Sequence, residues 1–249
     1  MLEYLNMKKE NLIFLETETT GADLENDRLC QVCYKQYGDI FTEYFKPPVP
    51  ISIKSMSITH ITNKTVENKE AFKGSKMCCD LENLLSKNVL IAHNAKFDIA
   101  MLEAEGLSVP KSICTFRLAR YLDEEDEIPE YNLQYLRYYH GLEIDGSAHD
   151  AEGDVKVLAG IFDVLYKKMT QKLGTDDEEK IITEMIDISS KPSLIRKMPF
   201  GKHCGISLKE LAKTDSGYLQ WLLRQKEEDG DEDWVYSLHY WLDRQNSLF

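Results

Sequence analysis

Four carboxylates and one histidine carry the chemistry this chain could perform. Glu16 and Glu18 close an apolar run, Leu12 to Leu15, and alternate onto the face that also carries Leu12 and Phe14. Two like charges two residues apart on a strand face lie about 7 Å apart at the Cα and repel unless water reaches both or a cation lies between them. Asp154 shares a helix face with Leu158, Ile161 and Leu165. A carboxylate there is costly to bury unless it is paired or metal-bound; the plain alternative is an acid at the positive end of a helix dipole. Asp98 falls in the first turn of a helix that follows an apolar strand, where the same alternative applies. His149 lies ahead of Asp154 by a spacing that does not share a helix face, so it must reach a common site from the entry loop or first turn.

Taken together, these residues fit one crevice. Ligands of open α/β sheets gather at the carboxyl ends of strands, and Glu16, Glu18 and Asp98 all lie at or just after such ends. Carboxylates are hard oxygen ligands suited to Mg²⁺ or Mn²⁺. Two such ions would stabilise the attacking and leaving oxygens of an in-line phosphoryl displacement. His149, with an ordinary pKa of about 6.5, is placed to take the proton of the attacking water.

The elements that must position these groups alternate. Strands are expected over Asn11–Glu18, Leu29–Tyr37, Ile40–Phe45, Asn88–Ala92 and Ser112–Thr115, with a hairpin turn at Gly38-Asp39. Helices are expected at Leu81–Leu85, Ala95–Glu105, Phe116–Leu122, Leu133–Tyr139 and Asp150–Lys168. This is an α/β pattern with a mixed sheet of five strands, flanked by helices. Residues 1–172 form the expected main domain and 173–190 a linker carrying one helix, around Glu178–Ile188. Residues 191–249 form a small, mostly helical, basic module with helices at Leu208–Lys213, Gly217–Arg224 and Trp234–Arg244.

The net charge of −13 argues at first against a nucleic-acid partner. Much of it comes from three acidic runs, Asp123–Glu127, Asp176–Glu179 and Glu227–Asp233, read as solvated loops, whereas Lys191–Lys226 holds eight Lys and Arg against two acids. Lys197, Lys202, Lys209, Lys213 and Arg224 are candidate phosphate contacts there. Tyr218 and Trp221 carry rings that stack on bases in other settings, but their spacing in an apolar helix reads as core. The six cysteines are scattered and read as reduced thiols; Cys30 and Cys33 have half the spacing of a zinc site without a second pair. With no apolar run of membrane-spanning or signal-peptide length, a cytoplasmic protein with no membrane role is expected.

Three segments, in order, resemble the motifs of the DEDDh 3′→5′ exonucleases, the proofreading type with an RNase H-like fold: Phe14 to Gly21, Ala92 to Asp98, and His149 to Asp154. The resemblance runs on through Ile51–Val66, Cys114–Arg120, Lys191–Gly205 and Asp215–Leu222, and so covers nearly the whole chain, including a C-terminal extension found in part of the family. It implies two divalent ions, Mg²⁺ or Mn²⁺, held by Glu16, Glu18, Asp98 and Asp154, with His149 and Glu18 catalytic. It also implies DNA 3′ ends, single-stranded or duplex, as the partner, with nucleoside 5′-monophosphates released one at a time. Thr19, Thr20, Ala22, Leu24, Ile61, Asn94 and Phe97 would meet the terminal nucleotides.

The chain departs from the family pattern at three places. The first acid is Glu16 where the family has Asp, which moves the carboxylate outward by roughly 1.5 Å, one bond length. Ala22 stands where a wedging Leu is common, leaving Leu24 as the candidate wedge. Thr59 takes the place of a frequent loop His, with His60 one position later. Two alternatives stay open: an RNA 3′-exonuclease of the same chemistry, and a nucleic-acid-binding protein whose catalysis Glu16 has weakened.

Overall fold

The computed structural model describes residues 8–144 and 151–246, so His149 and Asp150 lie outside the described residues. The chain divides into two compact units, residues 1–118 with 130–190, and residues 119–129 with 191–249.

The first unit is built on a mixed sheet of β1 (Leu12–Thr19), β2 (Leu29–Gln36), β3 (Asp39–Tyr44), β4 (Val89–Ala92) and β5 (Ser112–Cys114), in the order β3-β2-β1-β4-β5. β1 runs antiparallel to β2 and β2 to β3, while β4 and β5 run parallel to β1. The β2–β3 turn falls on Tyr37-Gly38, one residue earlier than expected, and both have positive φ (50° and 95°). That is the conformation a tight hairpin needs to follow strand twist.

Register decides where the acids lie. β1 pairs with β4 only as far as Phe14 opposite Ile91, and β4 ends one residue later at Ala92, so Glu16–Thr19 continue past its end. On that side the sheet is replaced by helix ends.

Proline residues 47, 48 and 50 end the hairpin, and two short helices follow that the sequence reading left unassigned: α1 (Ile53–Thr59) and α2 (Asn63–Val66). Ser52 caps α1 and Thr62 caps α2, each accepting a bond from a backbone N–H three residues on. The N3 positions are Ser55 and Thr65 rather than Glu or Gln, so the usual capping-box signal was missing. Next come α3 (Lys76–Leu85), α4 (Lys96–Ala104), α5 (Thr115–Leu122), α6 (Leu133–Tyr139), α7 (Ala151–Leu173) and α8 (Glu178–Ser189).

One sheet face buries Ile13 and Leu15 with Leu81, Leu85 and Leu102 from α3 and α4. The other carries Phe14, which packs edge-on to Phe162 of α7 at 5.4 Å, with Val155 alongside. α7 therefore lies over the face that presents Glu16 and Glu18. The segment expected as a linker carries α8, whose Ile181, Ile182 and Met185 are buried. Ser189 ties α8 to β5, accepting from the Cys114 N–H at 2.9 Å. Cys30 and Cys33 fall in separate apolar clusters, because residues of opposite parity on a strand face opposite ways. They do not form half a metal site.

The second unit packs α9 (Leu208–Thr214), α10 (Ser216–Glu228) and α11 (Glu232–Asn246) around Leu211, Leu219, Leu222, Trp234 and Leu238. Two expectations fail here. The acidic runs are not simply solvated: Asp123 is buried and accepts from the N–H groups of Glu127 and Ile128, both at 2.9 Å. Asp233 accepts from Ser193 N–H at 3.0 Å and Ser193 Oγ at 2.7 Å, with Arg120 3.6 Å away. Trp221 is not core; it is 48% exposed. Among the described residues no helix is long and apolar enough to cross a membrane.

Candidate active site

Glu16 is the centre of the acidic group. Burial raises its carboxyl well above the ordinary range, and the nearby charges of Asp98, Asp154 and Glu18 raise it further. One oxygen, Oε2, is buried and has no hydrogen-bond partner among the described residues. An unpartnered buried carboxylate oxygen costs roughly 1–3 kcal/mol or more, and a strand has no local means of satisfying it.

Asp98 reaches this group because β4 is short. The chain leaves Ala92, turns through Asn94 with positive φ (61°) and starts α4 at Lys96, which puts Asp98 in the first turn. Thr17 Oγ1 donates to Asp98 Oδ1 at 2.7 Å. Burial pushes the Asp98 carboxyl up to about 7, against the lowering effect of that bond and of the N–H groups of Asp98 and Thr17. The Thr17 N–H is the one β4 would take if it continued.

Asp154 is buried in the first turn of α7. Gln134 of α6 donates from Nε2 to Asp154 Oδ1 at 2.6 Å, and Arg137 Nη1 donates to Gln134 Oε1 at 3.2 Å. Arg137 thus fixes which way the Gln134 amide points. Sequence reasoning missed this pair; a single Gln on a short helix breaks no pattern.

The loop after β1 is held from both sides. Ser55 Oγ of α1 donates to the Thr19 carbonyl at 2.5 Å, and Ser52 N–H to the Thr20 carbonyl at 2.9 Å. Asp27 accepts from Thr20 Oγ1 at 2.6 Å and from Asp23 N–H at 2.9 Å. A Cβ at Gly21 would come within 2.3 Å of the Asp27 carboxylate, so a larger residue there would push that carboxylate off its partners. Neither Asp27 nor Ser55 was a sequence candidate.

Of the expected nucleotide contacts, Thr19 and Thr20 are buried in this loop. Ala22, Leu24 and Asn94 are exposed, and Phe97 is half-buried. Ile61 is buried with Cys30, Ile51 and Val66, a packing position beneath the loop. Thr59 donates to the Ser55 carbonyl at 3.1 Å, and His60 ends α1 in the left-handed conformation.

Among the described residues no three His, Cys, Asp or Glu side chains are already gathered at one ligating point. Asp98 and Asp154 are held by Thr17 and Gln134 within electrostatic reach of Glu16. The donor set nonetheless fits a divalent cation: hard oxygens, an orphaned buried Oε2, and mutual repulsion that a cation would reverse.

A mixed sheet in this order, with acids at the carboxyl ends of its central strands and under a crossing helix, places the chain in the RNase H-like class of α/β folds. The chain belongs to the exonuclease family: the Exonuclease (RNase_T) family model matches residues 13–162. It is 32% identical over 171 residues to DNA polymerase III subunit epsilon of Treponema pallidum (strain Nichols), covering 64% of this chain and 78% of that one. It is 28% identical over 197 residues to exodeoxyribonuclease 10 of Escherichia coli (strain K12), covering 78% and 81%. PolC-type DNA polymerase III chains also match, and of these the chain spans only 13% to 15%. A solved structure of exonuclease X in complex with 5′ overhanging duplex DNA aligns with a TM-score of 0.54 at 22% identity, over 72% of this chain and 99% of that one. The chain is thus a nuclease of a family that generally works with divalent metal ions.

Proposed function

We propose that this chain is a 3′→5′ exonuclease that removes nucleoside 5′-monophosphates from DNA 3′ ends, in end trimming or repair. The observation that carries the reading is half-buried Glu16, whose Oε2 is buried and unpartnered and whose carboxyl is raised by burial and by three neighbouring acids. Glu16, Glu18, Asp98 and Asp154 would hold the divalent ions, and Mg²⁺ or Mn²⁺ there supplies neutralisation of charge developing at the phosphate. Thr17 and Gln134 aim two of the four carboxylates, and Ser55 and Asp27 fix the loop that meets the terminal nucleotide. His149 takes the proton of the attacking water. The names of the relatives favour DNA.

The test is shortening of 5′-labelled single-stranded DNA by the full chain in Mn²⁺. The wild type should shorten it stepwise from the 3′ end, and Asp154→Ala should reduce the rate by more than the roughly 10- to 100-fold that loss of a mere outer-shell partner costs. Faster trimming of a matched RNA would reassign the substrate. Binding without shortening would favour a binding protein disabled at Glu16.

A further inference from the structure

The segment Lys191–Lys226 is basic within an acidic chain, yet several of its cations are engaged. Lys197 pairs with Asp126 at 3.3 Å, Lys202 with Asp215 at 3.3 Å and Lys226 with Asp229 at 3.1 Å. The second unit also leaves aromatic surface open to solvent. Trp221 on α10 is 48% exposed, and its ring lies 5.6 Å from that of Tyr218, tilted by 37°. Tyr218 is fixed in turn by His203, edge-on at 4.7 Å, and by Lys202 Nζ, 5.1 Å from its ring centre. Gly217 and Arg224 flank Trp221 on the same helical face, four residues before and three after. A Cβ at Gly217 would meet nothing within 4 Å, so that face is flat and open beside the indole.

We propose that Trp221 and Tyr218 form a stacking platform for unpaired bases of single-stranded DNA. This rests on the nuclease reading for the kind of strand presented. Unpaired bases offer flat π faces, which a duplex hides in its own stack. The exposed cations Lys209, Lys213 and Arg224 supply charge complementary to the phosphates of the same strand. A half-exposed indole held by an ordered Tyr-His-Lys cluster is prepared to stack without first being ordered, so little side-chain entropy is lost on binding.

The experiment measures anisotropy of fluorescein-labelled (dT)12 with the full chain in EDTA, which separates binding from cleavage. Trp221→Ala should weaken binding roughly ten-fold and Trp221→Phe about two-fold or less. Both should keep wild-type unfolding curves, because Trp221 lies outside the buried cluster of its unit. Unchanged affinity in a folded Trp221→Ala would overturn the proposal, as would competition by blunt duplex equal to that by (dT)12. So would a concentration-dependent dimer that Trp221→Ala abolishes, which would assign the face to a second copy. Wild-type protein that binds (dT)12 through Trp221 but never shortens DNA would sink the nuclease reading and leave the platform standing.

Discussion

In the proposed mechanism, Glu16 is the residue on which rate and metal preference turn. Its carboxylate stands one methylene further from the strand than an Asp would, and Mg²⁺ tolerates only about 0.2 Å of misfit without adjustment. Glu16→Asp should therefore lower the ratio of Mn²⁺-supported to Mg²⁺-supported cleavage by on the order of ten-fold, read as initial rates on one labelled strand. Gln134 is the second residue to probe. It aims Asp154 and is itself aimed by Arg137, so Gln134→Ala should raise the Mn²⁺ dissociation constant by roughly 10- to 100-fold, measured by titration of bound Mn²⁺ without substrate. Singly, each acid had an ordinary reading in the sequence; what marked them was their combination at strand ends and helix starts, together with the resemblance of their three segments to the family motifs. Gln134 was not legible there, because its partner is 20 residues away and nothing near it is anomalous.

At the scale of elements, His93 holds the end of β4 to two others. Its Nδ1 lies 2.9 Å from Thr115 Oγ1, at the start of α5, and its Nε2 lies 2.8 Å from the Tyr131 carbonyl, just before α6. The carbonyl needs a donor, so Nε2 carries the proton and Nδ1 accepts from the hydroxyl. Burial pushes the imidazole down to about 4 from its ordinary value of 6.5. Between those values the unfolded chain binds more protons, so the contribution is fully present above pH ~6.5 and is lost as pH falls toward 4, by up to about 3 kcal/mol. Urea unfolding at pH 7.5 and 4.5 should show this loss in the wild type and a smaller one in His93→Gln. All five strands were readable from alternation and turn residues, since each is bounded by Gly, Pro or a helix start. α1 and α2 were not, because Ser and Thr at N3 give no acidic signal. The module's three helices were also readable, but Trp221 was misplaced. Periodicity marks an apolar stripe without saying how wide a core three short helices can cover.

For the whole molecule, a net charge of −13 must coexist with a polyanionic substrate. The long-range field opposes approach, and a phosphate reaching Lys202 meets the charge of Asp215 3.3 Å from its ammonium. Affinity for (dT)12 should accordingly fall by no more than about two decades per decade of salt, the slope of roughly three phosphate contacts on a single strand. Anisotropy titrations between 50 and 200 mM salt at fixed pH check this; about −5 or steeper would indicate a dominant lysine grip. The same scale gives a second meaning to the point where β1 outruns β4. Past Phe14 the backbone edge has no neighbouring strand on that side, and side chains occupy it instead: Asp98 on the Thr17 N–H and Ser55 on the Thr19 carbonyl. An open strand edge is a template for another chain to pair with. The side chain proposed as a metal ligand therefore also closes this stretch of edge, and a variant that removes it to silence catalysis takes away the acceptor of the Thr17 N–H as well.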